Sequence, residues 1–194
     1  MTQTVRQATE SDVDAAVQTL TQAFEDYPMT RAGLDPDDYL TRLSQYNRRF
    51  LTGVGLAYGR VWVTDDVSAV AIWTTPDTPP DAFTRHADAF SELAGSRAAI
   101  AAEYGQAMGI FRPRTPLWLL AILGVAPDRQ HQGLGRAVVA PGLAAADRDH
   151  LPAFLETQEP ANLAFYESLG FTTIAELQLP HDGPMHYALY QPPT

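Results

Sequence analysis

The chain has 194 residues, 45% of them apolar and 19% charged, which suits one water-soluble domain, 1–194, with a substantial core. The net charge is −10, and all 13 cations are arginine, so the clustered basic surface of a nucleic-acid binder is excluded. The absence of cysteine excludes disulfides, thiolate metal sites and an acyl-cysteine intermediate.

The N-terminus, Met1 to Arg6, lacks the apolar core of a secretory signal, and a cytoplasmic location is expected. Val5 to Ala8 reads as a short strand. Thr9 is an N-cap with Asp12 in a capping-box position. Val13, Ala16, Val17, Leu20 and Phe24 then recur at helical spacing, and Asp26-Tyr27-Pro28 ends that helix. Asp35-Pro36 predicts the start of a second helix, with Tyr39, Leu40, Leu43, Tyr46 and Phe50 as its apolar stripe and Gly53 and Gly55 as its stop. Leu56 to Thr64 and Ser68 to Thr74 predict a hairpin turning at Asp65-Asp66. The stretch 81–108 is alanine-rich and helical, interrupted near Gly95, and 112–116 is a linker.

The stretch from Leu119 to Arg136 organises the rest. An apolar run predicts a buried strand, which Pro127 stops because proline cannot donate to a ladder. The longest unbroken apolar run, Leu117 to Ala126, is ten residues, too short to cross a bilayer, so no membrane partner is expected. After Pro127 come Arg129, Gln130, Gln132, Gly133, Gly135 and Arg136, and a helix predicted over 138–147. Unpaired N–H groups and the dipole at a helix N-terminus suit a phosphate or pyrophosphate. A Walker A loop needs Lys-Ser or Lys-Thr where Arg136 and Ala137 stand. A dinucleotide loop needs a third glycine where Val138 stands. Gln130-x-x-Gly133-x-Gly135 remains, and by itself it is equally a plain strand-to-helix turn.

Downstream, Ala153 to Glu156 predicts a short buried strand. Pro160 to Phe171, which carries Asn162-x-x-Phe165-Tyr166-x-x-x-Gly170-Phe171, predicts a helix with proline at its start and glycine at its end. Two final strands follow, 171–179 and 185–190. The five histidines show no metal-ligand spacing, so no metal is expected.

The glycine loop followed about thirty residues later by the Asn162–Phe171 signature resembles the GNAT N-acetyltransferases. The resemblance implies an α/β fold in the mixed-sheet sense: a central, mostly antiparallel twisted sheet, flanked by helices and splayed at an acetyl-CoA site. It implies acetyl-CoA as cosubstrate, held by Leu123, Gly124, Val125, Gln130, His131, Gln132, Gly133, Leu134, Gly135, Arg136 and Asn162. Arg129 or Arg136 would add charge-assisted bonds to the pyrophosphate, and a backbone N–H near Val125 would stabilise the oxyanion.

Within that family Tyr166 is implied as the acid for the leaving thiolate, although its residue pattern alone also fits a core tyrosine. Glu156, a carboxylate ending a buried strand, is a candidate base, a substrate-orienting charge or a salt-bridge partner. Asn162 bonds the cofactor or caps its helix.

Further stretches resemble the puromycin N-acetyltransferases: Phe24-x-Asp26-Tyr27-Pro28-x-Thr30-Arg31, Val61-Trp62-Val63-x-Asp65-Asp66, Ala69-Val70-Ala71-x-Trp73-Thr74-Thr75-Pro76 and Pro152 to Thr157. They imply direct transfer, in a ternary complex, to the amine of puromycin or a similar aminonucleoside antibiotic, hence resistance. Tyr27, Arg31, Trp73 and Glu156 would face that acceptor, although a tryptophan in a sheet is as readily core. Ala32, 77–111 and 185–190 depart from that pattern, in the segments that shape the acceptor pocket. Alternatives are another amine acceptor, whether antibiotic, polyamine or protein N-terminus, and a non-catalytic acyl-CoA sensor. Monomer and homodimer both remain open.

Overall fold

The central strand β3, Ala69–Thr74, is buried along its whole length, and its side chains alternate between two cores. Ala69, Ala71 and Trp73 enter one hydrophobic cluster, Val70 and Ile72 the other. That two-residue alternation requires a sheet covered on both faces. The computed structural model describes residues 4–193; the Met1–Gln3 part of the N-terminal reading, and Thr194, lie outside the described residues.

Seven strands form one sheet: β1 (Val5–Gln7), β2 (Arg60–Thr64), β3, β4 (Trp118–Val125), β5 (Ala153–Thr157), β6 (Thr172–Gln178) and β7 (Met185–Gln191). Their order is β1-β2-β3-β4-β5-β7-β6. All neighbours are antiparallel except β4 and β5, which run parallel. This is the mixed, mostly antiparallel sheet expected from the sequence.

One face is covered by α6 (Leu134–Arg148), whose Val138, Val139, Ala145 and Ala146 pack with Trp62, Trp73, Trp118 and Leu120. The other face is covered by α1 (Val13–Phe24) and α3 (Tyr39–Phe50), through Ala16, Val17, Leu20 and Phe50. Short α2 (Pro28–Gly33), α4 (Ala87–Ala94), α5 (Ala98–Gly109) and α7 (Leu163–Glu167) complete the helices. Among the described residues no helix is long and apolar enough to cross a membrane.

β4 and β5 pair only from Trp118 to Leu120 with Ala153 to Leu155. On its other edge β4 slips register: Ile72 faces Ile122 while Trp73 faces Leu120, which leaves Ala121 as a bulge. A bulge bends its strand and increases the local twist. Beyond it β4 and β5 part, and β5 continues along β7 as far as Thr157.

The Thr9–Asp12 cap forms, with the Thr9 N–H donating to Asp12 Oδ2 at 2.8 Å, and one 3₁₀ turn precedes α1. Three element expectations are corrected. The predicted start at Asp35-Pro36 is a tether: Asp35 accepts from the backbone N–H of Asp37 at 2.9 Å and of Ser96 at 2.7 Å, and the helix begins at Tyr39. Gly53 and Gly55 do not stop α3, which runs on as a π-helical turn over Leu51–Leu56, so β2 starts at Arg60 rather than Leu56. These glycines serve close packing, since a Cβ on Gly55 would sit 2.9 Å from Ile72 Cγ2. Finally, α6 begins at Leu134, four residues before the expected 138.

α6 packs so close to the sheet that a Cβ on Gly142 would lie 2.3 Å from the Trp73 ring. In an open helix Gly142→Ala would stabilise by roughly 0.5–1 kcal/mol. Here overpacking should reverse the sign and cost about 1–3 kcal/mol. Urea unfolding should show a lower midpoint at unchanged slope; a raised midpoint would contradict this packing.

Candidate functional site

Where β4 and β5 part, a cleft opens within the sheet in two arms. The larger, about 810 Å³, lies between the end of α1, Leu123 to Val125 of β4, the loop before α6, and α7. The smaller, about 260 Å³, lies between α1, α3, the middle of β4 and the end of β5. Phe24, Tyr27, Leu123, Asn162 and Tyr166 line both arms, so these residues mark the junction.

The larger arm is built by backbone. Ala126 N–H donates to Ser68 O at 2.8 Å, toward β3. Successive residues of a strand point their polar groups to opposite edges, so the Val125 N–H and C=O face the open edge. Gln130 Nε2 donates to that Val125 carbonyl at 3.3 Å. After a 3₁₀ turn over Pro127–Arg129, the chain reverses through His131 (φ 61°) and Gly133 (φ 80°) and enters α6 at Leu134. Gly133 takes the left-handed conformation at little cost. The first N–H groups of α6 therefore open onto the arm without intrahelical acceptors. Arg136 lines the arm and is anchored by Ser168, donating to Oγ at 2.7 Å and to O at 3.2 Å.

The loop is tied to the β2–β3 turn by Asp66, which accepts from Arg129 at 2.9 Å, from Thr64 Oγ1 at 2.8 Å and from Ser68 Oγ at 2.7 Å. Burial would raise the Asp66 carboxyl, but the Ser68, Thr64 and Arg129 donors outweigh it and hold the group well below the usual carboxylate range.

The smaller arm is aromatic and carries one carboxylate. Phe24, Tyr27, Tyr46, Phe50, Phe83 and Tyr166 line it, with Glu156 and Arg112 at one side. Burial pushes the Tyr166 phenol up, and Tyr27 acts in the same direction, so Tyr166 is a neutral phenol at physiological pH. Tyr27 O–H lies 3.1 Å from Thr157 Oγ1 and donates to Gln158 Oε1 at 3.2 Å, while accepting from the Gln158 backbone N–H at 2.8 Å. Glu156 Oε2 accepts from Arg112 Nε at 2.9 Å and Nη2 at 2.5 Å.

The structure thus brings Leu123, Gly124, Val125, Gln130, His131, Gly133, Leu134, Gly135, Arg136, Asn162, Tyr166, Tyr27 and Glu156 onto one cleft. Three expected residues stand elsewhere. Gln132 points back from the cleft, its Nε2 donating to Asp128 O at 3.3 Å. Arg31 pairs with Asp26 at 2.9 Å and lies over the Tyr39 ring at 4.0 Å, exposed outside the cleft. Trp73 is fully buried in the α6-side core, because odd-numbered residues of β3 face α6 and the smaller arm lies on the opposite face. Arg112, Gln158, His186 and the α3 aromatics were missed. Only the adjacency of Gln158 to Glu156 offered a sequence signal for any of them.

Residues 94–173 match a family model described as an acetyltransferase (GNAT) domain. Solved structures resemble the whole chain. One is described as histone acetyltransferase HPA2 and related acetyltransferase from Corynebacterium glutamicum: 24% identity, covering 100% of this chain and 98% of that one, TM-score 0.80. Another is arylalkylamine N-acetyltransferase 2 from Aedes aegypti: 15% identity, 98% and 99% coverage, TM-score 0.64. A third is the ribosomal-protein-S18-alanine N-acetyltransferase from Escherichia coli: 18% identity, 98% and 94% coverage, TM-score 0.59. The fold is that of the GNAT acetyltransferases, and the matched segment carries β4, the glycine loop, β5 and α7.

Asp66→Asn should loosen the loop and raise the KM for acetyl-CoA about 3–10-fold, a cost of roughly 1 kcal/mol, with kcat nearly unchanged. A carboxyl held low in the fold stabilises above its unfolded value and loses that contribution as pH falls. The stability gap between wild type and variant should therefore close below about pH 4. A gap that widens on acidification would refute the tether.

Proposed function

We propose that the protein, an acetyl-CoA-dependent N-acetyltransferase, transfers acetyl directly to the primary amine of a small aromatic molecule, with puromycin or a similar aminonucleoside antibiotic as acceptor. The observation that carries this reading is the aromatic arm with its single carboxylate, meeting the backbone-lined arm at Tyr166. Its 260 Å³ falls just below the roughly 300–1,000 Å³ of drug-sized sites, so it suits an aryl-amine head whose remainder projects outward. An aminoacyl nucleoside with a tyrosine-like side chain has that shape. The stretch Phe24–Thr30, which resembles the puromycin N-acetyltransferases and lines the smaller arm with Phe24, Tyr27, Met29 and Thr30, supports the same acceptor.

The larger arm fits acetyl-CoA. The N–H groups at the start of α6 suit a pyrophosphate, and the open edge of β4 suits an amide-bearing arm. When bound, acetyl-CoA supplies a thioester whose carbonyl is open to an amine. The Val125 N–H donates to the carbonyl oxygen and stabilises its developing negative charge. Glu156 takes a proton from the incoming ammonium, leaving the neutral amine to form the new C–N bond. As the C–S bond breaks, Tyr166 gives its proton to the sulfur, and the second proton, shed by the acylated nitrogen, restores the phenol. Asn162 and Tyr27, at the junction, keep donor and acceptor in line.

Free-thiol release should be measured with puromycin and with a panel of aryl-alkylamines, polyamines and peptides with free N-termini. Puromycin should give the highest kcat/KM; turnover of another class with none of puromycin would discard this acceptor. Tyr166→Phe should lower kcat by about 10²-fold, the scale of a lost general acid, with the KM for acetyl-CoA nearly unchanged. An undiminished kcat would remove Tyr166 from the chemistry.

A further inference from the structure

β5 and β7 lie side by side, in a register that pairs Glu156 with Ala188 and Thr157 with Tyr187. This brings Gln158 against His186, which is completely buried. Gln158 Oε1 is taken by the Tyr27 hydroxyl at 3.2 Å, so its amide nitrogen faces the ring, 2.8 Å from His186 Nδ1. A ring whose Nδ1 accepts while neutral carries its hydrogen on Nε2. That Nε2–H points at Glu156 Oε1, 3.7 Å away. Both atoms are buried and have no hydrogen-bond partner. The distance is too long for a hydrogen bond. A donor and an acceptor, buried and unmatched, therefore face each other across the carboxylate proposed as the base, while Arg112 holds the opposite oxygen. Leaving two such groups unpaired is costly, and a small movement of the carboxylate removes the cost.

We propose that His186 is the positioning residue of Glu156, a neutral imidazole that gives its Nε2–H to Oε1 when an amine displaces Arg112 from Oε2. The two arrangements of the carboxylate differ only in which cation lies against Oε2. With Arg112 in place, Oε2 is drawn toward the cleft and Oε1 stands off from the ring. With an ammonium in its place, Oε1 closes to about 2.9 Å from Nε2 and the other oxygen is presented to the proton being removed. Gln158 fixes the tautomer, and Tyr27 fixes Gln158, so the junction of the two arms is wired to the base through four side chains. The charged groups facing the ring are Glu156 of β5 and Arg112 of the segment before β4; the Phe111 ring stacks on it at 6.4 Å. Burial lowers the affinity of His186 for a second proton, consistent with a neutral ring.

This proposal rests on the reading of Glu156 as the base, and the experiment separates the two. Nitrogen-15 NMR of the wild-type protein at neutral pH should show one buried histidine as the neutral Nε2–H tautomer; a buried Nδ1–H tautomer or an imidazolium overturns the proposal whatever the variants do. His186→Phe should lower kcat about 10-fold or more with the KM for acetyl-CoA unchanged, and should move the acid limb of the kcat profile to higher pH, because the charged carboxylate of the substrate complex has lost a donor. His186→Gln, which keeps an N–H near the Nε2 position, should recover most of both. In a Glu156→Gln background His186→Phe should have no further effect. If Glu156→Gln is impaired but His186→Phe is additive to it, or leaves the pH profile unmoved, His186 has no positioning role while the base stands. A fully active Glu156→Gln overturns the base reading, and this inference with it.

Discussion

The loss of pairing between β4 and β5 after Leu120 is the constraint from which the site follows. Two parallel strands can part only if one bends, and the bulge at Ala121 supplies that bend at the last paired residue. Parting leaves polar backbone groups of Leu123 and Val125 without a neighbouring strand. Unpaired backbone groups need partners, and a cleft that admits a ligand carrying amides meets that need. The same divergence gives the smaller arm its room between β4, β5 and α3. A sheet paired along its full length would have neither arm.

The cleft walls are held by polar ties between elements distant in sequence. Asp66 binds the β2–β3 turn to the loop before α6 through Arg129, so the anion-facing turn is anchored on the rigid part of the sheet. Tyr27, at the α1–α2 junction, reaches across to Thr157 and Gln158 at the end of β5. Buried polar groups of this kind hold their geometry well when satisfied, whereas Glu156 Oε1 and His186 Nε2 are buried and left unmatched.

Much of this was legible in local patterns. The apolar run ending at Pro127, the glycine loop and the helix after it are strand, turn and helix because each has its own short-range cause. Asn162 to Phe171, the strand Ala153 to Glu156 and the capped first helix are of the same kind, and the first two placed Tyr166 and Glu156. Trp73 was not readable, because a fully buried strand shows no alternation of polar and apolar residues, and which face a residue takes depends on the covering helices. Gly53 and Gly55 misled for a related reason: their small size serves contact with residues far along the chain. Arg31 was assigned to the acceptor by its neighbourhood in sequence, whereas α2 turns its side chain outward onto Tyr39.

The sequence by itself determined the glycine turn between strand and helix, the carboxylate at the end of a buried strand, the tyrosine on the helix after it and the exclusion of thiol chemistry. These depend on hydrogen-bonding and steric rules that act within a few residues. Only the tertiary structure decided which residues surround Glu156. Arg112 comes from a linker and His186 from the last strand, and nothing local places either beside β5. Their positions follow from sheet order and register, which are set by packing over the whole chain.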